Sequence, residues 1–194
     1  SLAVMFVYAF VIVITDLNKK KNFLKYVRVE SLRDNETGLF NSEGFGVSTM
    51  KSMNSLKSHK RGGAMFVICI DDFRRIVETF GRGVADQVIA NVSEALSELF
   101  AESDIIGRSE EDEFLAFAPN MTNEGYIEDI SGKILKCVKR EYSLEGRSAI
   151  VTVSIGIAIY RDSDDEYIDI RDHATKALKN VQTDGGNGFS FYRV

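Results

Sequence analysis

The chain has 194 residues, 44% of them hydrophobic, enough to bury one full core. Its formal net charge of −5 excludes a protein that grips nucleic acid through a basic face. Two distant cysteines, Cys69 and Cys137, fit buried thiols in a reducing compartment and exclude a disulfide framework, while a single proline and no Ser/Gly-rich tract exclude a long flexible linker.

Leu2 to Ile14 is uninterrupted apolar sequence. A full membrane span needs about 20 such residues. Lys19, Lys20, Lys21, Lys25 and Arg28 follow at once, as expected on the cytoplasmic side of a span. A signal peptide would carry its basic residues before the apolar run. Residues 1–15 are therefore read as the C-terminal part of a transmembrane helix, the competing reading being a buried core element. Residues 16–33 are read as a linker helix, with Leu17, Leu24, Val27 and Ser31 at near-heptad spacing. Residues 34–194 form the remaining domain.

Phe45 to Leu56 predicts a helix, closed by the polar stretch Lys57 to Gly63. Ala64 to Ile70 is all apolar and rich in β-branched residues, the pattern of a central strand covered on both faces. Phe73 to Phe80 is helical, and Val84 to Phe100 carries one stripe through Val84, Val88, Ile89, Val92, Leu96 and Leu99. Two apolar runs, 104–108 and 114–118, flank an acidic tetrad and predict a β-hairpin. Tyr126 to Val138 is an amphipathic helix, Ala149 to Tyr160 a long strand, Ile170 to Val181 a helix and Gly188 to Tyr192 a short strand. The Asp/Glu-rich stretch from Tyr160 to Tyr167 reads as a solvated loop. His59 and His173 read as surface residues, and no zinc-ligand spacing occurs. Alternating strands and helices with one internal hairpin give an α+β fold with one mixed sheet.

The hairpin tip, Arg108-Ser109-Glu110-Glu111-Asp112-Glu113-Phe114, carries the most chemistry. Four carboxylates at a turn either hold a metal ion or form a solvated turn. Its surroundings in chain order are Asp34-Asn35-Glu36-Thr37-Gly38-Leu39-Phe40-Asn41, then Cys69-Ile70-Asp71-Asp72-Phe73-Arg74-Arg75-Ile76, then Phe80 to Asp86. Downstream come Val151 to Ala158, Ala174 to Leu178 and Asp184-Gly185-Gly186-Asn187-Gly188. In this order and spacing the segments resemble the GGDEF family, the diguanylate cyclases, over roughly residues 30–194. The resemblance implies a ferredoxin-like palm of nucleotidyl-cyclase type, with a mixed or antiparallel central sheet flanked by helices and preceded by an N-terminal helix. The implied activity is condensation of two GTP into cyclic di-GMP at a dimer interface with divalent metals.

The departures from that pattern decide the functional expectation. The two signature glycines are Glu110 and Glu111 here, and the family's first metal-binding Asp falls on Cys69. The Asn that reads guanine falls on Val77, and two basic residues that meet the triphosphate fall on Gln182 and Gly186. By the resemblance, Asp112 and Glu113 are the catalytic and metal residues that remain, with Asp71 as a further, distant metal ligand. Asp86 and Arg74, a Lys in most members, stand at nucleotide-binding positions. The product-inhibition motif Arg-x-x-Asp reads Ala101-Glu102-Ser103-Asp104, so Asp104 remains without its Arg.

Mg²⁺ and Mn²⁺ prefer hard oxygen ligands, for which a thiol is a poor substitute. A Gly-rich turn lets backbone N–H groups approach phosphate; two added carboxylates there repel a polyanion, by about 3 kcal/mol for unit charges about 5 Å apart at an effective dielectric near 20. The expectation is a degenerate GGDEF-like signalling domain without cyclase activity, acting as a regulatory, dimerising or nucleotide-sensing module. The alternative is an active cyclase with an atypical metal site. Expected partners are a second copy of the chain, GTP or ATP with Mg²⁺ or Mn²⁺ if a nucleotide binds, another signalling protein, and a bacterial inner membrane with the domain facing the cytoplasm.

Overall fold

The computed structural model describes residues 14–15, 31–144, 146–161 and 166–193. The predicted membrane segment and linker helix therefore lie almost wholly outside the described residues. No helix among the described residues is long and apolar enough to cross a membrane. The chain divides into two units, residues 1–33 and 34–194, and the second carries the fold.

That fold is α+β. Helix α1 (Ser42–Ser58) leads into strand β1 (Gly63–Ile70), helices α2 (Phe73–Phe80) and α3 (Arg82–Leu99), and the hairpin β2 (Ile105–Arg108) and β3 (Glu113–Pro119). Helix α4 (Glu124–Val138), a small hairpin β4 (Arg140–Leu144) and β5 (Arg147–Val151), strand β6 (Val153–Tyr160), helix α5 (Tyr167–Thr183) and strand β7 (Phe189–Phe191) follow. The five-stranded sheet has the order β2-β3-β1-β6-β7. Its pairs are antiparallel except β6 with β7, which makes it the mixed sheet that was expected.

Strand β1 sits at the centre because nothing on it needs water. Ala64, Phe66, Ile68 and Ile70 face a core shared with α2, α3 and α4, while Met65 and Val67 face a second core shared with α1 and α5. Period-two alternation thus divides one apolar run between two hydrophobic layers. The helices begin earlier than apolar periodicity alone suggested, because caps precede the periodic residues. Asn41 Oδ1 accepts from Gly44 N at 2.9 Å, Asn123 Oδ1 accepts from Tyr126 N at 3.0 Å, and Glu166 forms a capping box with Asp169.

Three expectations are corrected. The long strand from Ala149 to Tyr160 is two strands in different sheets, β5 and β6, broken at Thr152, whose carbonyl accepts from Asp71 N at 3.0 Å. Cys137 is exposed on the polar face of α4, not buried. His173 is half-buried, stacked on Tyr192 with ring centroids 4.1 Å apart. Of the acidic loop, residues 162–165 lie outside the described residues.

One close approach fixes how α5 lies on the sheet. A Cβ at Gly156 of β6 would stand 2.0 Å from Ala174 O and 2.3 Å from Leu178 N, both backbone atoms of α5. Gly156→Ala is therefore expected to destabilise the domain by about 3 kcal/mol, since neither element can yield without losing core contacts. Chemical denaturation would measure it as a fall in the midpoint at unchanged slope, and an unaltered midpoint would refute this account of the packing.

Candidate functional site

The antiparallel register of β1 with β3 sets Cys69 opposite Glu113, and that with β6 sets Cys69 opposite Ser154. Cys69 and Asp71 share the face of the sheet that looks toward α5, as residues two apart on a strand must. The Cys69 Sγ donates to Asp112 Oδ2 at 3.6 Å. Burial, then the charges of Asp112, Glu113 and Asp71, push this thiol up to about 12. It stays protonated at neutral pH, and the Asp112 carboxylate accepts its hydrogen bond.

Asp71 accepts three hydrogen bonds. Its Oδ2 accepts from Thr152 Oγ1 at 2.6 Å and from the backbone N–H of Asn187 at 3.0 Å, and its Oδ1 accepts from Ser154 Oγ at 2.6 Å. It ties the exit of β1 to β6 and to the turn after α5. Gly186 lies so close that a Cβ there would be 3.1 Å from Asp71 Oδ1, on a backbone with φ of +76° that favours glycine.

These groups border a cleft of 690 Å³ that also takes in Asp72, Arg74, Arg75 and Gln182. The fold thus brings Cys69, Asp71, Asp112, Arg74, Gln182 and Gly186 to one place, as their order along the chain implied. It sends the other candidates elsewhere. Glu113 is turned away from the cleft, accepting from Ser109 Oγ at 2.5 Å and Arg171 at 3.2 Å. Asp86 pairs with Arg82 at 3.2 Å. Asp104 borders a separate cleft beside Ala101, whose N–H it accepts at 2.9 Å, and burial raises its pKa. Arg74, although it lines the cleft, is exposed and paired with Glu78 at 3.0 Å.

The hairpin tip is held by arginines that sequence reasoning did not assign. Arg108 is 6% exposed; its Nη1 donates to Asp34 Oδ1 at 3.4 Å and to Glu36, and its Nη2 to the carbonyl of Glu111 at 2.8 Å. Arg82 donates to Glu111 Oε1 at 2.7 Å and lies 3.8 Å from Glu36. The hydrogen bond from Arg82 holds the Glu111 carboxyl below its ordinary value. The expected pair of uncompensated repulsive charges is therefore halved: Arg82 offsets Glu111, while Glu110 projects into solvent. Arg108 was legible as a charged residue closing an apolar strand. Arg82 and Arg171 carry no such signal, since their partners lie 29 and 58 residues away.

Among the described residues, no group of three or more His, Cys, Asp or Glu is placed to hold a metal ion. A protonated thiol, one carboxylate and a second carboxylate already holding three donors do not suit an ion that takes six oxygens in octahedral geometry.

Residues 31–188 match the family model described as "Diguanylate cyclase, GGDEF domain". Among curated relatives, the chain is 26% identical over 159 residues to the cyclic di-GMP phosphodiesterase NbdA of Pseudomonas aeruginosa, covering 82% of this chain and 20% of that protein. It is 24% identical to the cyclic di-GMP phosphodiesterase PdeR of Escherichia coli over 90% of this chain and 26% of that protein. The chain thus spans about a fifth to a quarter of these relatives. Among solved structures, the coiled coil and GGDEF domain of DgcB from Caulobacter crescentus, in complex with c-di-GMP, superposes with a TM-score of 0.79 at 20% identity, covering 91% of this chain and 94% of that one. The GGDEF domain of TpbB (YfiN) from Pseudomonas aeruginosa gives 0.76 at 21% identity, covering 83% and 94%. At these identities the superpositions show the shared fold.

The bonds to Asp71 predict a structural role that titration of the whole protein can check. Asp71→Asn turns an acceptor-only group into one that presents N–H to donors, and hydrogen bonds to a charged group contribute about 1.5–3 kcal/mol each. The variant is expected to melt at lower temperature by an amount unaffected by added Mg²⁺. A wild-type melt that Mg²⁺ raises, with that increment lost in Asp71→Asn, would instead make Asp71 a metal ligand.

Proposed function

Because the chain belongs to the GGDEF (diguanylate cyclase) domain family, we propose that it is a degenerate GGDEF domain of a cyclic di-GMP signalling protein, without cyclase activity of its own. The observation that carries this reading is the Cys69–Asp112 contact. Where metal catalysis of phosphoryl transfer needs carboxylates converging from two strands, β1 offers a protonated thiol that donates to the carboxylate of the other strand segment. Val77, Gln182 and Gly186 remove side-chain donors from the positions that would meet base and phosphate, and Glu110 adds negative charge. All four changes disfavour a bound nucleoside triphosphate. Arg82 and Arg108 favour a turn that is closed and internally neutralised.

In this reading the domain contributes by dimerising, contacting another signalling protein or sensing a nucleotide weakly. The match to relatives named as phosphodiesterases over only part of their length supports a domain that works beside others. The apolar run Leu2 to Ile14 followed by lysines supports attachment to a bacterial inner membrane with the domain in the cytoplasm.

Purified protein incubated with GTP and Mg²⁺ or Mn²⁺ is expected to yield no cyclic di-GMP by mass spectrometry. Turnover that Asp112→Ala abolishes would overturn the proposal in favour of an active cyclase with an atypical metal site. Groups that act as a unit are non-additive, so Cys69→Asp alone is expected to stay inactive. The combination Cys69→Asp, Val77→Asn, Glu110→Gly and Glu111→Gly is expected to regain metal-dependent GTP binding by calorimetry. Robust turnover by Cys69→Asp alone would show that the acidic turn is no barrier.

A further inference from the structure

Behind α2, on the side away from the Cys69–Asp112 contact, lies a second cleft of 500 Å³, between α2 and the strand β5 of the small hairpin. Arg75 enters it from α2 and Arg147 from β5. Arg74, Arg82, Arg108, Arg161, Arg171 and Arg193 each face a carboxylate within 4.0 Å. Arg75 and Arg147, like the exposed Arg61 and Arg140, face none among the described residues, but only Arg75 and Arg147 line one cleft together. Two guanidinium groups from different elements thus border one concavity with their donors unspent.

The acids in this cleft are Asp71 and Asp72. Asp71 is already committed to Thr152, Ser154 and Asn187, which leaves Asp72 as the opposing charge. The hydroxyls of Thr79 and Ser148 line the same space, and Ile76, Phe80 and Ile150 supply apolar walls. Ile150 is 62% exposed, unusual for a large apolar side chain in this domain. Planar guanidinium forks match phosphate oxygens, hydroxyls add neutral donors, and an apolar wall accepts the carbon part of a ligand.

We propose that this cleft is a second binding site, taking a small organic phosphomonoester: the phosphate lies between Arg75 and Arg147, and the organic group lies against Ile76, Phe80 and Ile150. The site adjoins the first cleft and shares Arg75, Asp71 and Asp72 with it, while Arg147 lines the second cleft alone. Binding weakens with rising salt, because both cations are exposed.

Calorimetric titration of the full chain with phenyl phosphate, and separately with inorganic phosphate, tests this directly. Saturable binding is expected for both, tighter for phenyl phosphate. Arg147→Gln is expected to weaken phenyl phosphate by about tenfold or more, the loss of one charge-assisted fork. Asp72→Asn is expected to tighten it, and Arg74→Gln, which touches only the first cleft, to leave it unchanged. Absence of saturable binding, or binding that Arg74→Gln weakens and Arg147→Gln does not, would overturn the proposal; the latter result would place the phosphate in the first cleft. Inorganic phosphate binding as tightly as phenyl phosphate would overturn the apolar half of the site.

Discussion

Everything in this domain is arranged around a strand with no solvent on either face. β1 is pinned between β3 and β6, and its residues from Ala64 to Ile68 are wholly buried. Polar chemistry is thereby forbidden along its length and allowed only where it leaves the sheet, at Cys69, Asp71 and Asp72. The same buried strand fixes β3 by register, so Asp112 and Glu113 arrive beside that exit whatever their own role is. A site at the end of a dry central strand is a property of the fold. What stands in the site is free to change without loss of the core.

That separation leaves the residues around the site to balance their own charges. Four carboxylates near the site each have a partner within the chain: Asp112 accepts from the Cys69 thiol, Glu113 from Ser109 and Arg171, and Glu111 from Arg82, while Asp86 pairs with Arg82. An acidic cluster repels itself, by about 1–4 kcal/mol for a pair of unit charges 4 Å apart between water and a surface-like dielectric. Here arginines and a thiol proton do the neutralising. Asp71 holds β6 and the turn after α5 to the exit of β1.

The fold was largely legible because its signals are local. The unbroken apolar run of β1, the stripe of α3 and the paired apolar runs of the hairpin each follow from neighbours in sequence. The small hairpin β4–β5 was not, since Arg140-Glu141-Tyr142-Ser143-Leu144 has no clean apolar alternation and earns its place through Tyr142, whose hydroxyl accepts from Asn91 at 2.6 Å. Within the site, the nearness of Cys69, Asp112, Gln182 and Gly186 was what the family resemblance implied. The turning away of Glu113 was not, because Arg171 lies on α5 and is brought near only by the packing of that helix at Gly156. Cys137 was misjudged because its apolar neighbours Ile134, Leu135 and Val138 point to the other side of α4.

The bonds from Arg108 to Asp34 and Glu36 have a kinetic side. They join residues 74 and 72 positions apart, across the whole of β1, α2 and α3. The turn from Ser109 to Asp112 can close within its own hairpin, over a few residues and in microseconds. Its docking to residues 34–36 closes a far longer loop and rewards that entropy only once the central sheet exists. Breaking those two long-range bonds would free the tip while leaving the central sheet intact, so the fastening at Arg108 separates the mobility of the turn from that of the core.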